Sequence, residues 1–406
     1  MINQQISLPW ERKVQLDEGF TNAFHTQPEA YFSAPGRTEL SGNHTDHQRG
    51  RVLAAAVNMD AQAAVRRNGE DRIRVQSRGY AMVEINLKQL QPVAEEKNTT
   101  AALVRGVAAG FQKKGCRVQG FVAYVESDVL PGSGLSSSAA FEVLLGTVIN
   151  HLFFDGAATP AQVAGIGQYA ENVFFGKPSG LMDQMASAVG GLVTIDFFDK
   201  EHPAVRPVTF DFSQTGYALC IVDSRASHTD LTDEYAAITQ ELKAVCAYFN
   251  REVLTQVSED AFYRAIPELR KRCGDRAVMR AIHVFAENRR VPEQVACLER
   301  GDFSAFLQLV EESGRSSWMY LQNVIPTGNT GAQAVAVALA LCEHSLRGRG
   351  ACRVHGGGFA GTVQAFVPRD MLEAFRSEVD ASLGEGACHV LDIRPLGGVP
   401  IVFRPE

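Results

Sequence analysis

A chain of 406 residues, 45% of them hydrophobic and 21% charged, carries enough apolar material for more than one core and has the balance of an ordinary globular protein. Its formal net charge of −7 argues against non-specific nucleic-acid binding, which usually needs a basic face. No stretch reaches the ~18 apolar residues of a membrane span, and Met1 to Ser7 lacks the basic region and apolar core of a secretory signal, so neither membrane nor nucleic acid is an expected partner.

The cysteines at 116, 220, 246, 273, 297, 342, 352 and 388 form no Cys-x-x-Cys pair and keep no regular spacing. Free thiols in a reducing compartment are the expectation, and with them a cytoplasmic location. At roughly 100–200 residues per domain the length predicts two domains. The charged, proline-bearing stretch from Asp196 to Pro207 is the natural break, giving 1–205 and 206–406.

Taken in order, residues up to about 30 space Trp10, Val14, Leu16, Phe20 and Phe24 as surface helix. Between Tyr31 and Gly50, polar groups crowd between two apolar strands, with Arg37, Glu39, His44, Asp46, His47 and Arg49 close together and Gly36, Gly42 and Gly50 punctuating them. Such density in a short loop marks a site. A solvated loop and a metal site built from His44, Asp46 and His47 are the alternatives, but that spacing matches no common ligand set. Mixed donors and acceptors with an arginine suit a polyhydroxylated molecule better.

From Val52 to Leu87 the apolar segments Ala61–Val65 and Ile73–Val75, separated by Arg66–Arg72 with its Asn68-Gly69 pair, predict a β-hairpin. Thr99 to Lys114 is helical in period, and Val118 to Val125 reads as a strand. That strand runs into Ser127-Asp-Val-Leu-Pro-Gly-Ser-Gly-Leu-Ser-Ser-Ser-Ala-Ala140 and then into a helix with Ala139, Ala140, Val143, Leu144, Thr147 and Val148 on one face. Ser136, Ser137 and Ser138 are expected in its first turn, where unpaired N–H groups and the positive end of the dipole favour a phosphate. Gly132 and Gly134 let backbone approach that guest. A turn plus an N-cap is the plainer alternative, and the stretch is neither a P-loop nor Gly-x-Gly-x-x-Gly.

Ala161 to Phe175 has helical spacing, with Glu171 expected off the buried stripe of Val163, Ile166, Ala170 and Phe174. Gly165 and Gly167 lie inside it and do not form a dinucleotide fingerprint, because no strand precedes them. The loop Gly176–Gln184 then sets Asp183 among apolar neighbours, a carboxylate that burial would raise unless a cation lies beside it. In the second half a strand at Tyr217–Asp223 precedes helices near 234–249, 261–269, 277–288, 303–313 and 332–346. A glycine cluster, Gly356-Gly-Gly-Phe-Ala-Gly361, separates two probable strands, and 389–393 and 398–403 close the chain as strands.

Several of these segments together resemble the galactokinase family of the GHMP small-molecule kinases. Ala34-Pro-Gly-Arg37 with Asn43-His-Thr-Asp46 is similar to that family's sugar signature, Pro131 to Ala140 to its nucleotide loop, and Gly356 to Gly361 to its C-terminal motif. Ala170-Glu171 and Met182-Asp-Gln184 match two further landmarks. The resemblance implies an α+β protein of two domains, an N-terminal α/β and a C-terminal α+β domain, with the active site between them. It also implies ATP-dependent phosphorylation of a sugar's anomeric hydroxyl, with galactose leading and another hexose, an amino sugar or a pentose as the alternative. A non-catalytic sugar sensor is the third reading.

By the same resemblance Asp183 and Arg37 are the catalytic pair, Arg37 favouring an ionised Asp183. Asn43, His44, Asp46, Gly180 and Tyr235 contact the sugar. Gly132, Ser133, Gly134, Leu135, Ser136, Ser137 and Ser138 surround the phosphates of ATP, and Ser138 and Glu171 hold Mg²⁺. The chain departs from the family pattern Asn-Leu-x-Gly-Glu-His-Thr-Asp-Tyr: it reads Glu39-Leu-Ser-Gly-Asn-His-Thr-Asp-His47, with Asn43 in place of a charged acceptor. Thr100 and Leu103 stand where aromatic residues are common, Ala360 replaces a glycine, and His355 stands where a threonine is common.

Overall fold

The computed structural model describes residues 5–129, 134–177, 179–226 and 231–404. The first half begins with β1 (Ile6–Leu8), α1 (Trp10–Phe24), β2 (Ala30–Ser41), β3 (Arg51–Arg67), β4 (Arg72–Ser77) and β5 (Val83–Asn86). It continues through α2 (Thr100–Lys113), β6 (Phe121–Ser127), α3 (Ser137–Phe153), α4 (Pro160–Tyr169), α5 (Met182–Val189), β7 (Leu192–Asp196) and β8 (Ala204–Val208). The second half contains β9 (Tyr217–Asp223), α6 (Thr232–Tyr248), α7 (Glu259–Cys273), α8 (Asp275–Glu299), α9 (Phe303–Ser316) and α10 (Ala334–Leu346). It closes with β10 (Ala351–His355), β11 (Thr362–Pro368), α11 (Leu372–Leu383), β12 (Cys388–Leu391) and β13 (Val399–Phe403).

The larger sheet runs β1-β13-β2-β3-β6-β4-β5, with β7 pairing the start of β3 and β8 pairing β7. A four-stranded sheet, β10-β11-β9-β12, is antiparallel throughout. The hairpin expected across Asn68-Gly69 does not form as a pair of neighbours. Strand β6 lies between β3 and β4, antiparallel to the first and parallel to the second, and it is β5 that folds back on β4. The turn chemistry was local, whereas the choice of neighbour was decided by a strand some fifty residues further on.

Behind the larger sheet, α2, α3, α4 and α5 pack their apolar residues into one core with Phe32, Val65, Phe121 and Val125. Helix α3 is buried almost all round, including Val143, Leu144, Val148 and Ile149, each aliphatic side chain stabilising the fold by roughly 1.5–3 kcal/mol. Helix α4 starts where its sequence says it should: Thr159 and Gln162 form a reciprocal capping box and Pro160 occupies the first turn. The same core takes in Leu219, Ile221, Val291 and Phe366 from the second half. The break expected after residue 205 falls inside β8, and the last strand, β13, returns to pair with β2.

Candidate active site

Strand β2 is central to the site because it is bent. Its register against β3 shifts between Pro35 and Arg37 and again between Glu39 and Ser41, and such bulges re-aim side chains beside functional sites. Ser187 on α5 donates to the Pro35 carbonyl at 2.7 Å, and the Arg37 N–H donates to the Leu135 carbonyl at 3.0 Å, so the bend is fixed from both sides. The Arg37 guanidinium then reaches across the gap. Its Nε donates to Asp183 Oδ1 at 2.7 Å, and a terminal nitrogen donates to the Gly134 carbonyl.

Asp183 lies in the first turn of α5. Its second carboxylate oxygen accepts from the Ser136 hydroxyl, so each oxygen is held by a separate donor. Burial pushes this carboxyl up, but the Arg37 charge, the bonds from Arg37 and Ser136, and Lys177 together bring it below the ordinary value. The side chain keeps 31% of its surface, which leaves it both ionised and reachable.

Ser136 was expected in the first helical turn; instead it is the N-cap of α3, with φ 57° and ψ 66°, and its hydroxyl serves Asp183 and not the helix. A left-handed non-glycine residue is uncommon and costs energy, and its place here aims the hydroxyl at the carboxylate. Gly134, with φ +72°, passes so close to the second half that a Cβ would lie 2.8 Å from Thr362 Oγ1 and 2.9 Å from His355 Nδ1. Leu135 is fully buried, and Ser137 and Ser138 are half-buried at the helix start. Gly132 and Ser133 lie outside the described residues.

Glu171 corrects an expectation. It was expected off the buried stripe, yet it is 3% exposed, because residues Ala170–Phe175 wind as a π-turn after α4 and the i→i+5 pitch rotates it inward. Its Oε1 faces Ser138 Oγ at 3.2 Å and Lys177 Nζ at 3.0 Å. One carboxylate and one hydroxyl beside a helix N-terminus fit Mg²⁺, which takes hard oxygen ligands and completes its shell with phosphate and water. Lys177, an ammonium bound to the same oxygen, shows that the position attracts a cation.

The signature loop forms the other wall. Gly180 passes over Asp46 so closely that a Cβ would meet its Oδ2 at 2.1 Å, so a side chain there would displace that carboxylate. Asp46 is mostly enclosed, and its Oδ1 accepts from the His47 N–H at 2.9 Å. His44, at φ 61°, bonds through Nε2 to the Gly357 carbonyl at 3.0 Å; a carbonyl only accepts, so Nε2 carries the proton. Burial holds His44 down at about 4, against the pull of that bond and assisted by His47, so the ring is neutral near pH 7. Tyr235 on α6 donates to the Gly358 carbonyl at 2.7 Å, and burial raises its hydroxyl to about 12. Among the described residues no group of three or more His, Cys, Asp or Glu side chains is placed to hold a metal, His44, Asp46 and His47 included.

Asn43 stands apart from these residues. It is 0% exposed and every polar atom it has is bonded within the protein. Nδ2 donates to Glu39 at 3.1 Å and to the Gly356 carbonyl at 2.6 Å, and Oδ1 accepts from Asn323 at 2.9 Å and Ser317 at 3.3 Å. Its N–H donates to Glu287 at 3.4 Å, and its carbonyl accepts from His283 at 3.0 Å.

His355 acquires a definite role. The Glu39 N–H donates to its Nε2 at 3.2 Å, which leaves the proton on Nδ1 to donate to Thr362 Oγ1 at 2.9 Å. Burial holds the ring well below its ordinary pKa and therefore neutral. Glu142 and Lys177 were not singled out from the sequence, and Gln184 entered only as part of the Met182-Asp-Gln184 landmark, with no role of its own. Gln184 follows Asp183 directly and Lys177 lies just after the π-turn that carries Glu171, but nothing local showed that they converge.

Comparison with known proteins shows the family and the fold. Residues 18–67 match the galactokinase galactose-binding signature, and residues 102–191 match the GHMP kinase N-terminal domain. The galactokinase of Streptomyces coelicolor is 31% identical over 390 residues, 94% of this chain and 97% of that relative. In fold, the Lactococcus lactis galactokinase complexed with galactose superposes with a TM-score of 0.80 at 24% identity, covering 96% of this chain and 99% of that one. The L. major mevalonate kinase superposes at 0.61 with 15% identity, covering 92% and 99%. The chain belongs to the galactokinase family of the GHMP kinases.

Proposed function

We propose that this protein transfers the γ-phosphoryl group of ATP to the anomeric hydroxyl of D-galactose, giving galactose 1-phosphate. The observation that carries the reading is the meeting of Arg37, Asp183 and Ser136 at the N-terminus of α3. Asp183 is ionised and held at both oxygens, so it can accept or orient the proton of a sugar hydroxyl. Arg37, fixed by Asp183 and the Gly134 carbonyl, places positive charge where a transferring phosphoryl group gathers negative charge. The α3 N-terminus offers N–H groups to phosphate oxygens. His44, Asp46, Gly180 and Tyr235 border the space for the sugar, His44 as a neutral ring.

Ser138 and Glu171 would hold Mg²⁺, which would supply positive charge to offset that of the phosphates. The free thiols, seven of the eight buried, suit a reducing, cytoplasmic setting, and no described helix is long and apolar enough to cross a membrane. An assay of galactose with ATP and Mg²⁺ tests the proposal, and absence of phosphorylation of any aldose would sink it. One observation favours a second sugar. Asn43 has no polar atom left to offer a ligand, so the sugar edge that faces the signature loop meets one carboxylate, Asp46. A panel of hexoses, amino sugars and pentoses compared by kcat/KM decides between galactose and a relative.

A further inference from the structure

Behind the proposed cation site lies a second, fully enclosed polar group. Helix α3 carries Ser138 and, one turn later on the same face, Glu142. The α4 segment brings Gly167 and then Glu171, again four residues apart, and α5 brings Gln184 directly after Asp183. Glu142 and Gln184 are both 0% exposed. The Gln184 amide donates one hydrogen to Glu142 Oε2 at 2.9 Å and the other to Glu171 Oε2 at 3.0 Å. Glu171 is thereby pinned at Oε2 while Oε1 faces Ser138 and Lys177.

Room for this pair is made on purpose. A Cβ on Gly167 would lie 3.1 Å from both Gln184 Cγ and Glu142 Oε2, which gives that glycine a packing role unrelated to nucleotide fingerprints. Burying these groups is costly, because Glu142 Oε1 and Gln184 Oε1 find no hydrogen-bond partner among the described residues.

We infer that Glu142 and Gln184 form a buried positioning pair that sets the carboxylate plane of Glu171, and through it the affinity for the divalent cation that accompanies the nucleotide. The inference rests on the proposed role of Glu171 as a cation ligand. Gln184 also ties that carboxylate to the residue next to Asp183, so the cation side and the acceptor side of the site share one rigid corner.

The test uses the full-length protein with Mn²⁺ and the non-hydrolysable nucleotide AMPPNP, with free Mn²⁺ read by electron paramagnetic resonance. Galactose binding by calorimetry and a thermal melt accompany each variant. Glu142→Ala and Gln184→Ala are expected to weaken Mn²⁺ by about 10–100-fold, as removal of groups that orient a metal ligand does, with galactose affinity unchanged. Glu142→Gln keeps an acceptor oxygen for Gln184 and is expected to stay within about 3-fold of the parent, on the scale of one neutral hydrogen bond. If Glu142→Ala does not fold, Gln184→Ala carries the same expectation. Unchanged Mn²⁺ affinity in the folded alanine variants, alongside a loss in Glu171→Ala, overturns the positioning role. Unchanged affinity in Glu171→Ala itself would show that the assignment of the ligand is wrong, and the inference falls with it.

Discussion

Asp183 is held by one charged and one neutral donor, and the two do different work. The Arg37 fork supplies charge, and Ser136 fixes the second oxygen from a backbone position that few residues adopt. Asp183→Ala is expected to lower kcat by a factor on the order of 10²–10⁴, the range for a positioned general base, while galactose binding measured by calorimetry persists. Arg37→Lys is expected to fall short of rescue, because a single ammonium cannot bond Asp183 and the Gly134 carbonyl in one plane. Asn43 calls for a different experiment. Asn43→Ala strips partners from Gly356, Asn323, Ser317 and Glu39, and a loss of about 1–3 kcal/mol in urea unfolding is expected. Asn43→Asp should be at least as damaging despite its shape, since it sets a carboxylate against Glu39 and a carbonyl oxygen. A milder effect of aspartate than of alanine would mean that the loop reopens toward a ligand. The pairing of Arg37 with Asp183 was legible from motif order, but the burial of Asn43 was not, because it depends on what the second half packs against the signature loop.

Helix α8 is the element that does that packing. The apolar period announced a helix over 277–288, and the chain forms one from Asp275 to Glu299. What the apolar period hid is a second stripe, Arg280, His283, Glu287, Arg290 and Gln294, polar and buried at helical spacing. Glu287 accepts from Gly42 N–H at 3.1 Å, Asn43 N–H at 3.4 Å and Ser313 at 2.7 Å, and pairs with Arg290. Burial raises this carboxyl, yet Arg290, His283 and Arg353 pull it down to about 2. Glu287→Ala leaves Arg290 and Arg353 buried without it, and a loss of about 3–5 kcal/mol is expected. The depressed pKa fixes the sign of the pH dependence: the contribution is present above the unfolded carboxyl value of about 4.3 and is lost as pH falls toward 2. The stability gap between parent and Glu287→Gln, measured by urea unfolding from pH 6 to pH 2.5, should therefore close with acid, and a gap independent of pH would refute the charged role. Elements whose signal is local, such as α2, α3 and β9, were readable in advance. The separation of β3 from β4 by β6 and the inward turn of Glu171 were not, since a strand inserted from elsewhere and a single π-turn leave no mark in local periodicity.

At the scale of the whole molecule the two halves are joined three times over. One apolar core takes residues from both, beside two more that lie wholly in the second half, β13 returns to the first sheet beside β2, and the buried polar network of Glu39, Arg353 and Glu287 crosses between them. A chain of 406 residues divided near residue 205 would ordinarily be expected to unfold in two steps, one for each domain. The shared core argues for one. The molecule contains its own reporters, because its two tryptophans lie one in each half, Trp10 at the start of α1 and Trp318 in the turn after α9. Both are partly exposed, at 38% and 41%, so replacement should perturb stability little. Trp10→Phe leaves only the second half emitting, and Trp318→Phe only the first. Urea transitions followed by fluorescence in the two variants should share a midpoint, within the shift that each substitution itself causes in the circular dichroism of the same sample. Cutting the chain after residue 398, which removes β13, should then lower both transitions together, although the lost strand pairs only with the first sheet. If the first-half signal alone moved while the second-half transition stayed in place, the halves would be independent folding units, and the corner shared by Asp183 and Glu171 would owe its rigidity to the first half alone.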